Sequence, residues 1–278
     1  MRLRTSLCRA ATPRRLWLVA AVCVLLPATV ERAAAGACGD NVDGKRVACA
    51  CGDVVVADTV LWPTDPVVTE TCSDDGLTIV AASDAERLTL NLGGQSIVGR
   101  GHGTGIRVSR GGHLGAVIIG GDDGDTRAEI ARFNTGIRAT GRDVLSEVRS
   151  IDIHDNTADG LFIHASGVRI EDVRTESNGR DGVALAGHGN QVSDVTADDN
   201  LQDGLKVRGS AATLAADTRR NRRNGVDLGG RGHRVEGLRS AQNGGAGVLA
   251  TGSGHDISAT QALDNGGGDL AGPAGATK

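Results

Sequence analysis

Four side chains stand where acid–base chemistry could be done: His154, Glu176, Asp198 and Asp199. The first three recur at intervals of 22 residues. Stacked on successive turns, such groups could act as acid and base, or hold Ca²⁺ through hard oxygen ligands. They fit a salt-bridged outer surface equally, because Asp152 and Arg174 stack beside them with opposite charge. A second set is Arg138, Phe162, His164, Lys206 and Arg208. One aromatic among cations could hold an acidic sugar by stacking and charge, and the competing reading is a solvated basic face with one stray ring. Asp122, Asp123 and Asp125 offer oxygens for Ca²⁺ without a complete EF-hand pattern. His233 and His255, each after a glycine, could share a transition-metal ion but bring no third ligand. No cofactor is fixed by these residues, and Ca²⁺ is the one candidate.

Positioning such residues is the task of a repeat. The phrase Asn, three residues, Gly, apolar places asparagines at 156, 178, 200, 221, 243 and 265, at intervals of 22, 22, 21, 22 and 22. Asn156, Asn178, Asn200, Asn221 and Asn243 are read as structural. A fixed period of this length is the signature of a stacked solenoid. Apolar pairs two residues apart follow each glycine: Leu161/Ile163, Val183/Leu185, Leu205/Val207, Val226/Leu228 and Val248/Ala250. A period of two turns one side of each segment inward. Eight residues before each Asn stand Val148, Ile170, Val192, Thr213 and Val235, which reads as a further inward column. A leucine-rich repeat also fits Val148-x-x-Ile151-x-Ile153-x-x-Asn156. Against it, the middle position drifts to Thr, Ala and Ser, and the second half lacks a helical scaffold.

Composition agrees with a thin solenoid. Aromatic residues are 1%, glycines number 42, and the formal charge is −4 with both signs mixed, so no nucleic-acid partner is expected. Residues 1–35 read as a secretory signal, with a basic start and the apolar run Leu16 to Ala28, too short to span a bilayer comfortably. Secreted or periplasmic localisation follows, with no membrane association after cleavage. Cys38, Cys49, Cys51 and Cys72 then form two disulfides of open connectivity. Residues 36–87 read as an N-terminal cap, 88–272 as the coil and 273–278 as a tail. Gly105 to Gly136 spans 31 residues, and the excess lies between Gly120 and Glu129. The C-terminal Gly266-Gly267-Gly268-Asp269-Leu270 offers no amphipathic cover, which predicts an open edge and end-to-end self-association.

The Asn-x-x-[Asp/Asn]-Gly-[Leu/Val]-x-[Leu/Ile/Val] phrase resembles the right-handed parallel β-helix repeat. That repeat occurs in the pectate-lyase-like superfamily and in periplasmic copper-protein accessory factors. The run Leu88-x-Leu-Asn-Leu-Gly-Gly-x-x-Ile-x-Gly is similar to a motif near the start of such secreted proteins. The resemblance implies an all-β, right-handed parallel β-helix of about eight turns over residues 38 to 270. It implies a polysaccharide or cell-surface glycan as partner, without choosing between a binding protein, a lyase, hydrolase or epimerase-like enzyme, and a metal-handling accessory.

Overall fold

The computed structural model describes residues 35–80, 87–109, 115–121, 126–141 and 143–272. The chain divides into Met1–Ala34 and Ala35–Lys278, and only the second unit is described. The signal segment, Asp122, Asp123, Asp125 and the 273–278 tail lie outside the described residues.

The second unit is a parallel β-solenoid. Two sheets of twelve and thirteen strands run its length, with neighbours separated by one lap of chain except at the N-terminal edge, where Lys45–Val47 folds back antiparallel on Ala37–Val42. In the first sheet, eight parallel strands stack from Leu77–Val80 through Thr104–Ser109, Thr135–Thr140, Leu161–His164, Val183–His188, Leu205–Ser210 and Val226–Arg231 to Val248–Ser253. The second sheet carries the long strands Leu145–His154, Arg169–Glu176, Gln191–Asp198 and Thr213–Arg219. The described residues contain one short helix, Pro66–Thr69. Strand interiors alternate as the period of two requires: Leu161, Ile163, Val183, Leu185, Leu205 and Val207 are buried in one core that runs from Cys38 to Ile257.

Corners are made by single left-handed residues, and they fall in columns. Ser150, Asp172, Asp194, Gly237 and Ala259 have positive φ and bend the second sheet. The 21-residue lap lacks this corner residue. Val192 pairs with Leu214 and Val195 with Ala216, so two intervening residues face one. Thr213 therefore pairs with Gln191 and is exposed, and Leu214 fills the core in its place. Counting back from Asn221 puts Thr213 inside because the missing residue lies between the two anchors. A second left-handed column, from Asp155 through Ser177, Asp199, Arg220 and Gln242 to Asp264, precedes each asparagine.

The asparagines form a ladder. The Oδ1 of Asn178, Asn200, Asn221, Asn243 and Asn265 each accepts the backbone N–H of the asparagine one lap earlier, at 3.0–3.2 Å. The same oxygen accepts that residue's Nδ2–H. Corner backbone groups, which no strand can pair, are thereby satisfied indoors. Phe133 begins the column: its N–H donates to Asn156 Oδ1 at 2.9 Å and its ring is fully buried.

Disulfides join Cys38 to Cys49 and Cys51 to Cys72. Parallel stacking already starts between them. Ala37–Val42 pairs with Val54–Val55, which pairs with Leu77–Val80. The coil thus runs back through the cysteine-bearing segment and does not start at Leu88. The crosslinks staple laps whose strands are short, two residues each at Val54–Val55 and Thr59–Val60.

Candidate functional site

Two outer faces carry the residues singled out from the sequence. On the first sheet, the register places Arg107, Arg138, Phe162, Ala184, Lys206, Asp227 and Leu249 in one column. The Arg138 guanidinium lies over the Phe162 ring, 4.6 Å from its centroid. Arg107 is clamped by Asp75 at 2.9 Å and also donates to the Thr104 hydroxyl. Both arginines open onto a recess of about 390 Å³ shared with His102, Thr104, Asn134 and Thr135. Two guanidinium groups on adjacent strands repel one another, and Asp75 offsets only the first. His164, Ala186 and Arg208 stack in the neighbouring column. Arg208 is committed, donating to the Asp227 carboxylate at 2.6 Å and to two carbonyls. Lys206 reaches the Asp181 carboxylate at 3.6 Å.

The second sheet carries a groove of about 430 Å³ that includes His154 and Glu176. His154 is held between two carboxylates, with Nε2 3.0 Å from Glu129 and Nδ1 3.0 Å from Asp155. Ser96 donates to Glu129 at 2.8 Å. Arg127 pairs with Asp152 and Asp172, and Arg174 lies 3.5 Å from Glu176. The groove thus combines clustered carboxylates with cations, paired to one another. Asp198 and Asp199 lie one lap further, outside its lining. Arg220 takes both Asp199 oxygens and lies 3.5 Å from Asp198. Asp198 is buried with one oxygen lacking a hydrogen-bond donor, and burial pushes its carboxyl up against the pull of Arg220 and Arg219. Glu129 and Arg127 are not legible as site residues in the sequence because they end the insertion, where the column alignment fails.

Asp159, Asp181 and Asp203 form a second internal ladder. Each is at most 3% exposed, so they are not a solvent-facing row. Asp159 and Asp181 each accept the backbone N–H of the next rung, and Asp203 Oδ1 accepts from Asn224. Burial pushes the Asp181 carboxyl up, opposed by the Asp203 N–H and by Lys206.

His233 and His255 stack with ring centroids 5.2 Å apart and nearly parallel planes. They follow Asn190 in a third corner column. Nδ1 of His233 accepts the Ala212 N–H at 3.2 Å, as Asn190 Oδ1 accepts that of Val168 at 2.9 Å. Nε2 of His233 faces the Gly229 carbonyl at 3.3 Å, and His255 repeats the arrangement with the His233 N–H and the Thr251 carbonyl. Both nitrogens of each ring are therefore spent on backbone, and the neutral Nε2–H tautomer is the one that fits. No group of three or more metal-ligating side chains occurs among the described residues.

This geometry makes a pH prediction. Burial holds the His233 imidazole below its ordinary value. The Gly229 carbonyl opposes this, and His255 and Arg208 reinforce it. A depressed histidine means that the unfolded chain binds the proton more readily. Its contribution is fully present above the ordinary imidazole pKa, about 6.5, and is lost as pH falls below that. His233→Asn copies the rung already used at Asn190. The variant is expected to match the wild type at pH 8 and to lose less stability than it does by pH 5. Urea midpoints at the two pH values check this, and parallel losses in both proteins would refute it.

Among known structures, the A-module of mannuronan C-5 epimerase AlgE4 from Azotobacter vinelandii is similar at 19% identity, with a TM-score of 0.39. The likeness covers 77% of this chain and 65% of that module, so this chain spans less than two thirds of the module's length. No curated protein matches the chain. The family model of the right-handed β-helix region matches residues 96–218, which include the asparagine ladder from Asn156 to Asn200. With its laps stacked in register on both sheets, the chain is a parallel β-helix repeat protein.

Proposed function

We infer that this protein binds an acidic polysaccharide lengthwise on the outer face of its first sheet. Two disulfides fit an exported protein, and no described helix is long and apolar enough to cross a membrane. The observation that carries the reading is the Arg138–Phe162 stack beside Arg107. The half-buried ring, with the small Ala184 beside it on the next strand, would stack on a sugar, and the guanidinium groups supply charge-assisted donors to a carboxylate. Arg138→Gln keeps a polar side chain but removes the charge. It is expected to weaken retention on an immobilised uronate polymer by about tenfold, the size of one charge-assisted contact. Affinity electrophoresis in uronate and neutral glycans, with and without Ca²⁺, measures it. Equal retention on neutral glycan, or an unchanged Arg138→Gln variant, would reject the reading. The Ca²⁺ arm tests the acidic run of Asp122, Asp123 and Asp125.

A second reading rests on the His154 groove. An imidazole bridging two carboxylates, with Glu176 on the next strand, could move protons on a bound sugar. Enzymatic turnover would appear as unsaturated-product absorbance for a lyase or as new reducing ends for a hydrolase. Binding without either product, and without epimerised residues by NMR, removes it.

A further inference from the structure

The corner column of the second sheet has one gap. Its left-handed residues run Ser150, Asp172 and Asp194, skip the lap of Thr213–Arg219, and resume at Gly237 and Ala259. On that lap Ala215 and Ala216 span the corner, while the next lap uses Glu236, Gly237 and Leu238 for the same step. A recess of about 400 Å³ lies there, lined by Asp194, Thr196, Ala216, Leu238, Arg239 and Gln261. That volume is at the small end of the range for ligand sites.

Charges on this sheet are otherwise spent on one another. On its strands from Leu145–His154 to Arg239–Ala241, the charged side chains pair with a neighbour close in sequence or on another lap. Two do not. Asp194 and Arg239 make no ion pair and no side-chain hydrogen bond among the described residues. Both are exposed, and both line the recess, from the laps on either side of the short one. Two strand spacings, about 10 Å, separate their backbones. Asp217, on the lap between, is already held by Arg219. One unpaired surface charge needs no explanation. Two of opposite sign, flanking the irregular lap, make a recess that is neutral overall and dipolar across.

We propose that this recess binds a small zwitterion, its carboxylate on the Arg239 guanidinium and its ammonium on the Asp194 carboxylate. A guanidinium takes a carboxylate through two parallel bonds, and charge-assisted N–H donation holds the ammonium on the aspartate. A uronate fits less well, because it brings only negative charge to a recess that also holds Asp194 and Asp217. A free amino acid and a short peptide share the zwitterionic chemistry and differ in the distance between their charged ends. The site lies on the other sheet from the Arg138–Phe162 stack and is independent of the polysaccharide reading.

The test titrates the disulfide-bonded full chain with glycine, β-alanine, γ-aminobutyrate, diglycine and triglycine, which differ in the separation of their two charges. Acetate, methylammonium and glucuronate are the single-charge controls. Amide chemical shifts of Ala215, Ala216 and Gly237 give both the affinity and the place. Saturable shifts are expected for at least one zwitterion, with every control about tenfold weaker or more, the size of one charge-assisted contact. Asp194→Asn and Arg239→Gln should each lower the affinity about tenfold. Asparagine suits the left-handed corner at Asp194, and Arg239 is exposed, so both variants keep the fold. Tightest binding by the amino acids would assign a free amino acid and by the peptides a peptide, and either supports the site. No saturable shift with any zwitterion up to about 10 mM would overturn the proposal. So would equal binding of acetate or glucuronate, or an affinity unchanged in both variants.

Discussion

Asn200→Ala is expected to destabilise the protein by about 4 kcal/mol, from several buried groups stranded at 1–3 kcal/mol each. Asn200 is 1% exposed. Its Oδ1 accepts from the backbone N–H and the Nδ2–H of Asn178, at 3.1 and 3.0 Å. Its Nδ2 donates to the Thr175 carbonyl at 3.3 Å and to Asn221 Oδ1 at 3.0 Å. Alanine removes all four bonds and leaves partners on the two flanking laps without water to replace them. Asn200→Asp is no remedy, because it loses both donations and buries a charge. The solenoid adds a second signature. Stability there is a sum of lap and neighbour terms, so weakening a central junction lets the halves unfold separately. Urea unfolding should show a lower midpoint and a broadened or split transition. Asn265→Ala is the control, since Asn265 is the last rung and only partly buried, and should cost about 1 kcal/mol. Equal effects at the two positions would show that the ladder is not the support claimed for it.

Gly209→Ala is expected to be comparably severe, about 3 kcal/mol or more, through overpacking and backbone strain together. Gly187, Gly209, Gly230 and Gly252 stack in register, with φ of +140, +114, +126 and +111°. Those angles are ones that L side chains rarely adopt. A Cβ on Gly209 would overlap the Gly187 carbonyl oxygen one lap away, and backbone cannot rotate aside. Gly189→Asn supplies the contrast. Its φ is +66°, a Cβ there would meet nothing within 4 Å, and Ala211 already occupies the equivalent corner with φ +54°. That substitution should change stability by less than about 1 kcal/mol. Thermal unfolding of the two variants side by side decides the matter, and a mild Gly209→Ala would mean that the laps can slide apart.

The solenoid is legible because its laps are nearly identical in length. The intervals between Asn156 and Asn265 align the strands of the first sheet and the stretch before each asparagine in the second, and the outward columns read from the sequence there are those observed. The alignment fails where length changes. Counting places Thr213 inside because a residue is missing at the corner before Ala216. Glu129 and Arg127 do not join His154 in the alignment because the insertion after Gly120 breaks the count.

By itself the sequence determined the lap, its inward aliphatic side chains, the asparagine ladder and the candidate residues on each face. Periodicity is a local property, and it survives without coordinates. Only the tertiary structure decided which side chains meet across laps. It set Arg138 on Phe162, His154 between Glu129 and Asp155, and each ring of His233 and His255 against backbone. It also chose the partners of the four cysteines. Such pairings depend on where long side chains turn and on what is already hydrogen-bonded, and residue spacing along the chain carries neither.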